Sequence, residues 1–265
     1  GNDGSVWIYD LTTDAEWPLL GETKQVKSPT WSADGSQLAV SYQNGGRPEI
    51  EQHCGKRGER PPPGAYDINI GSTSGNICYK LPADPHWQLR LIDAATGAYE
   101  DLPSETYAMA PAWDPANDWR VVFAGSAGLQ QLDLNRGEYF PFSDDLRDRG
   151  PVFSPDGSQV AVSYKQDNHW EIYTIDAATG TRVRLTESPL FADTAVNSAA
   201  PAWSPDGSQI AYVSDQNGQW EFWLMNSDGS NPHPLLPDDA AAQLDVQYNG
   251  VDERLISWAG EQVSR

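Results

Sequence analysis

Few residues in this chain have the types and spacing to do chemistry. The four histidines, His53, His86, His169 and His233, stand in unrelated contexts. No HExxH, GxSxG or P-loop pattern occurs, so the sequence carries no local signal for zinc hydrolysis, an activated serine or a phosphate cradle. His86 and His169 each precede a tryptophan, Trp87 and Trp170, which reads as a repeated position rather than a catalytic one. Two carboxylates doing glycoside chemistry would have to face each other. Among the segments that open each repeat only Asp114 and Asp245 are acidic, and Asp114 falls in a turn. The balance is against catalysis.

Cys54 and Cys78 lie 24 residues apart in one irregular segment. Two thiols are too few for a structural zinc site. A disulfide closing the loop is expected, which places the protein outside the cytosol: periplasmic, secreted or on the cell surface. Around these cysteines Arg47, His53, Lys56, Arg57 and Arg60 form a local basic cluster. Elsewhere the loops are acidic. Asp144, Asp145, Asp148, Asp193, Asp238 and Asp239 could offer oxygen ligands to Ca²⁺, although solvated acidic loops without a metal are the commoner case. No other cofactor is expected.

The formal net charge is −21. Phosphate backbones and anionic membrane surfaces would be repelled, so a nucleic-acid or membrane-surface role is not expected. No apolar run approaches the ~18 residues of a membrane span. Gly1 rather than Met opens the chain, which is read as a mature or excised segment. A monomeric domain of a larger or tethered protein is expected.

The elements that must position these groups are short strands. Residues 200–237 hold four apolar runs, PAW, QIAYVS, WEFWLM and PHPLL, separated by SPDG, DQNG and NSDG. Strand and turn alternate, as in a four-stranded antiparallel meander. Such a sheet cannot bury both faces alone, so copies must stack around a common axis. Copies start at SPTWSADGSQLAVSY (28–42), at 110–142 and at GPVFSPDGSQVAVSY (150–164). The phase marks Trp31, Trp113, Phe153, Trp203 and Tyr248 are 82, 40, 50 and 45 residues apart. The regular unit is therefore about forty residues, a propeller-blade length. The long interval is one blade plus an insertion at 47–86, within which 65–70 and 76–81 could pair as a small hairpin. The N-terminal segment 5–20 matches only the second half of the repeat, and 245–260 only the first. The fold expected is all-β: one domain over 1–265, a five-bladed propeller of four-stranded antiparallel blades. Its terminal strands share one closing blade; six blades is the alternative.

The segments PAWSPDGSQIAYVSD (201–215), PVFSPDGSQVAVSY (151–164) and PTWSADGSQLAVSY (29–42) resemble the TolB-like, or WD40-like PD40, β-propeller family. The resemblance extends weakly over the chain outside 47–86. It implies a fold, because the motif residues build turns: Pro presets φ, Asp closes an Asx turn and Gly takes positive φ. It implies that Trp203 and its equivalents fill the wedge between blades, and that these residues are not a site. The family usually has six or seven blades, so a five-bladed ring departs from it. The resemblance further implies an interaction or sensor module.

On a propeller the first-to-second and third-to-fourth strand turns share one face. Here these are all tight hairpins. The other face carries the long segments 47–86, 143–150, 187–200 and 237–244, where binding is expected. The candidate contacts are Arg47, His53, Arg57 and Arg60 of the insertion, and Phe191, Asp193 and Asn197 of the 187–200 link. Phe191 could either pack beneath its loop or stand out as an anchor. The function expected is non-catalytic, extracytoplasmic binding or sensing of a protein, peptide or glycan. The alternatives are a propeller enzyme, such as a glycoside hydrolase or metal-dependent enzyme, or the accessory propeller of a peptidase. In the chain-entropy picture the disulfide should contribute about 3 kcal/mol, mostly to ordering the insertion. Mass spectrometry of protein made under oxidising conditions should find no free thiol; two free thiols would contradict the bridge.

Overall fold

The computed structural model describes residues 6–10, 13–20, 25–71, 74–105, 107–188 and 195–237, with Leu244, Val246, Tyr248 and Ile256. All regular structure among them is β. The chain divides into two compact units. One comprises Gly1–Tyr42 with Gln88–Arg265, the other Gln43–Trp87, slightly wider than the insertion expected at 47–86.

Strands β1 (Val6–Asp10) and β2 (Ala15–Leu20) form a two-stranded sheet. Strands β3 (Val26–Trp31) and β4 (Gln37–Arg47) follow. Then come β5 (Ile50–Gly55), β6 (Tyr66–Ile70) and β7 (Ile77–Leu81), in the order β5-β7-β6. Strands β8 (Asp84–Asp93) and β9 (Tyr99–Asp101) complete the sheet β3-β4-β8-β9. Three meanders come next. The first is β10 (Met109–Trp113), β11 (Arg120–Gly125), β12 (Gly128–Asp133) and β13 (Glu138–Pro141). The second is β14 (Asp148–Phe153), β15 (Gln159–Gln166), β16 (His169–Asp176) and β17 (Arg182–Arg184). The third is β18 (Ser198–Trp203), β19 (Gln209–Ser214), β20 (Glu221–Asn226) and β21 (His233–Pro234). The repeat units read from the sequence are thus whole sheets. The expected hairpin in the insertion is the β6–β7 pair, and β5 adds a strand that the sequence pattern did not announce.

The turns form for the reason the residues suggest. In SPDG, Ser154 Oγ donates to Asp156 Oδ1 (2.6 Å), which also accepts from Ser158 N (3.0 Å). Ser154 Oγ in turn accepts from Gln159 N (3.0 Å). The same loop of bonds closes at Ser32–Asp34–Gln37 and at Ser204–Asp206–Gln209. In the copy at 110–142 Asp114 takes the serine's place. It is fully buried and accepts from Ala116 N (2.8 Å) and Arg120 Nε (2.7 Å).

Each innermost strand contains a proline, which cannot donate to the ladder. The ladder accordingly breaks in a bulge in all four: at Lys27/Thr30, Met109/Ala112, Arg149/Val152 and Ala199/Ala202. The residue before the proline turns left-handed every time: Ser28 (φ 51°), Ala110 (φ 49°), Gly150 (φ 55°) and Ala200 (φ 52°). Where that residue is not glycine the turn costs about 1 kcal/mol, a cost offset by the burial that the bulge permits. Ala202, Ala112, Val152 and Thr30, one from each innermost strand, line a single cavity of about 220 Å³ with Ile256. The four strands therefore face a common axis, as in a propeller.

The core lies between sheets. Ile172 and Ala161 of one sheet meet Trp203, Tyr212, Trp223 and Met225 of the next. Trp113, Phe153 and Trp203 are buried as wedge residues, and Trp203 Nε1 donates to Val152 O of the preceding sheet (3.2 Å). Trp31 departs from that expectation at 48% exposed. The β1–β2 hairpin packs on Leu38, Val40 and Ile92 instead, leaving this ring open. At the other end Val246, Tyr248 and Ile256 pack against Ala199, Ala200 and Val213. The expected pairing of 5–20 with 245–260 in one closing blade lies outside the described residues.

One hydrogen bond ties a bulge to the neighbouring sheet. The buried Ala200 N donates to Ser163 Oγ (2.9 Å). Ser41 holds the equivalent position in the first copy, yet its buried hydroxyl has no partner among the described residues. Ser163→Ala should therefore cost about 1–2 kcal/mol, because it strands a buried N–H. Ser41→Ala should be neutral or slightly stabilising. Urea unfolding of both variants checks the contrast, and equal losses would contradict it.

Candidate functional site

The link between the second and third complete meanders is held by one buried carboxylate. Glu171 is 1% exposed on β16. Its Oε1 accepts from Ser188 N (2.8 Å) and Arg184 Nη2 (2.9 Å), and its Oε2 from Thr186 Oγ1 (2.6 Å). His169 Nε2 lies 2.9 Å from Oε1. These contacts fix where the chain leaves the sheet. Where it returns, Asn197 is clasped by Asp215: Asn197 N donates to Oδ1 (2.6 Å) and Nδ2 to Oδ2 (2.7 Å). Asn197 Oδ1 then accepts from Trp170 N (3.1 Å), joining the link to the start of the third strand of the other sheet.

Beside this anchored link lies an aromatic shelf that sequence reasoning did not assign to a site. Trp170, Trp220, Phe222 and Tyr248 are each partly exposed and pack over Ala199, Ala200 and Val213. The rings of Trp220 and Tyr248 meet edge-on, 5.2 Å between centroids. Lys165 Nζ sits 4.7 Å from the Trp170 ring, within cation–π range. The signal was available, since Trp170 and Trp220 open their third strands just after the DNH and NGQ turns. Only the fold brings Tyr248 to them.

Of the expected contacts in the link, Asn197 is in place with its side chain committed to Asp215 and Trp170. Phe191 and Asp193 lie outside the described residues. The insertion holds its own group. Cys54 and Cys78 are directly cross-strand between β5 and β7 and are bonded to each other. His53 packs on Tyr79, 5.2 Å between centroids. Arg57 lies across Gly75, where a Cβ would come within 3.1 Å of its side chain. Arg60 is exposed, and Arg47 reaches Asp84 at 4.0 Å. Residues 43–87 carry five basic and five acidic side chains, so the whole net charge of −21 resides elsewhere. On its edge strand Tyr66, Ile68 and Ile70 are exposed.

The calcium reading meets neutralised carboxylates. Asp148 is fully buried in a two-pronged pair with Arg182 (2.7 and 2.5 Å) and accepts from Ser143 Oγ (2.5 Å). Arg147 donates to both oxygens of Asp145 (2.9 and 2.8 Å), and that contact holds the Asp145 carboxyl down at about 2. These two acids do not fit a calcium site. Asp193, Asp238 and Asp239 lie outside the described residues. Among the described residues no three His, Cys, Asp or Glu side chains gather where they could hold a metal.

Comparison with known proteins agrees with this architecture. Residues 143–252 match the family model described as PD40, TolB beta propeller domain. TolB from Acinetobacter baumannii superposes with a TM-score of 0.62 at 19% identity, covering 88% of this chain and 49% of that one. This chain thus spans about half the length of that TolB. A putative TolB from Agrobacterium tumefaciens matches at TM-score 0.51 and 17% identity over 88% of both chains. An oligogalacturonate lyase in complex with manganese matches at 0.56 and 15%, covering 90% of this chain and 61% of that one. At these identities the likeness is one of fold. No curated protein matches the chain by sequence. The family match and the TolB neighbours support the TolB-like propeller family.

Glu171→Ala should lower stability by about 2 kcal/mol, because three donors lose their acceptor. Glu171→Gln should cost about half as much. Limited proteolysis should cut the Ala variant faster within 187–197 than the wild type, and equal cleavage would show that Glu171 does not anchor the link.

Proposed function

We propose that this TolB-like propeller is an extracytoplasmic binding or sensor module. It recognises a protein, peptide or glycan through its long loops, without chemistry of its own. The observation that carries the reading is the partly exposed shelf of Trp170, Trp220, Phe222 and Tyr248 beside a link anchored at both ends. Aromatic rings set in a rigid frame provide large contact area at little entropic cost, which is how binding surfaces concentrate their energy. The insertion is the second contact region of the proposal. It combines Arg47, His53, Arg57 and Arg60 with an exposed apolar edge, and it escapes the charge repulsion of the remaining chain. In this reading the ring has five blades, with 5–20 and 245–260 sharing the last. A disulfide in the insertion favours an oxidising compartment.

Peptide and glycan arrays probed with the wild type should identify a bound class that is recovered unchanged. The Trp170→Ala/Trp220→Ala variant, verified as folded by its melting curve, should bind at least about tenfold more weakly. Arg57→Ala/Arg60→Ala should weaken binding modestly and flatten its salt dependence. Undiminished binding by a folded tryptophan variant would overturn the site. Wild-type turnover of the bound compound would overturn the non-catalytic reading.

A further inference from the structure

A groove of about 480 Å³ opens between the sheets β14–β17 and β18–β21, at the end where the Ser-Pro-Asp-Gly turns lie. That volume is within the range of small-ligand sites. Its apolar surface comes from Val183, Leu185 and the edge of Trp203. Val183 is 52% exposed although it stands in a strand, so the apolar strip is open to solvent.

One polar group in the groove has no structural task. Thr174 is only 4% exposed and lines the groove, yet its hydroxyl has no hydrogen-bond partner among the described residues. The repeat does not demand a hydroxyl there. Counting two residues back from the turn residues Asp93, Asp133 and Asn226, the equivalent positions are Leu91, Gln131 and Leu224. Facing the groove, that hydroxyl is free to accept a hydrogen bond from a donor outside the chain.

The rim is negative. Asp156, Asp206 and Asp228 line it, and no Lys or Arg does. Each carboxylate accepts turn hydrogen bonds, led by Ser154 for Asp156, Ser204 for Asp206 and Ser230 for Asp228. These bonds hold all three below the usual carboxylate range, Asp206 at about 2, so they stay ionised at any physiological pH. Among the described residues, the second oxygen of Asp206 accepts only from Ser208 Oγ, and that of Asp156 only from Ser158 Oγ. Both retain lone pairs for a further donor.

We propose that this groove binds an alkylammonium group, the chemistry shared by free polyamines and lysine side chains. Its methylenes would lie along Val183, Leu185 and Trp203, its ammonium at Asp206 and Asp156, and an N–H would donate to Thr174 Oγ1. The apolar strip discriminates against bare inorganic cations, and the negative rim against neutral apolar ligands.

Titration calorimetry at low salt, with spermidine and separately with Nα-acetyl-lysine amide, tests the proposal. Val183→Arg places a tethered cation in the groove from an exposed edge-strand position, so folding should be retained and a melting curve verifies it. It should weaken binding at least about tenfold. The near-isosteric Thr174→Val should weaken it several-fold while leaving the melting temperature unchanged or raised. Binding of either probe that responds in this way supports the groove, and the probe that binds tells a free polyamine from a polypeptide lysine. Absence of binding by both probes would overturn the proposal. So would binding equal in wild type and Val183→Arg, which is diffuse counterion attraction to a chain of charge −21.

Discussion

The four-stranded sheets of this protein are apolar on both faces, and that constraint governs the rest. Ala161 and Ile172 point to one side of their sheet, while Val162 and Tyr173 point to the other. One sheet in water would expose whichever face it could not cover, so it is dry only between two neighbours. The bulges in the innermost strands follow from the same need. At each bulge a proline removes a donor and the preceding residue turns left-handed. The strained backbone is tolerated because it lets four inner strands approach one axis.

With the sheet faces committed to one another, polar chemistry is pushed to the ends of the strands, and the two ends use it differently. At the turn end serine and aspartate satisfy each other within six residues, which makes compact, self-sufficient hairpins. At the link end the partners are distant in sequence. Glu171 gathers donors from Arg184, Thr186 and Ser188, and Asp148 takes Arg182 from the far strand of its sheet. Buried carboxylates of this kind are tolerated only when fully paired. Their pairing fixes where the chain leaves and re-enters the sheets.

The unit at Gln43–Trp87 follows other physics. It is too small to hold a sheet by burial alone. Tyr79 and Leu81 are its buried apolar side chains on β7, while the whole of β6 is exposed. The cross-strand bond between Cys54 and Cys78 supplies the missing restraint and locks the register of β5 on β7. This unit carries no net charge on a strongly acidic chain.

The sequence by itself determined what is decided within a few residues. Ser-Pro-Asp-Gly specifies its turn through its own side chains, and alternation specifies the strands between turns. With only two cysteines, Cys54 and Cys78 had no other intramolecular partner. A repeat that recurs about every forty residues then implies stacked sheets, since no copy can bury itself. Strand β5 was not legible, because IEQHCG has no alternation and becomes a strand only by pairing with β7. Nor were the wedge of Trp31 that stayed open, the shelf that Tyr248 completes with Trp220, or the idle hydroxyl of Thr174. Each depends on which sheet stands opposite and how closely. Hydrogen bonds and van der Waals contacts act over a few ångströms, so residues remote in sequence acquire these roles only when the tertiary structure sets the distance.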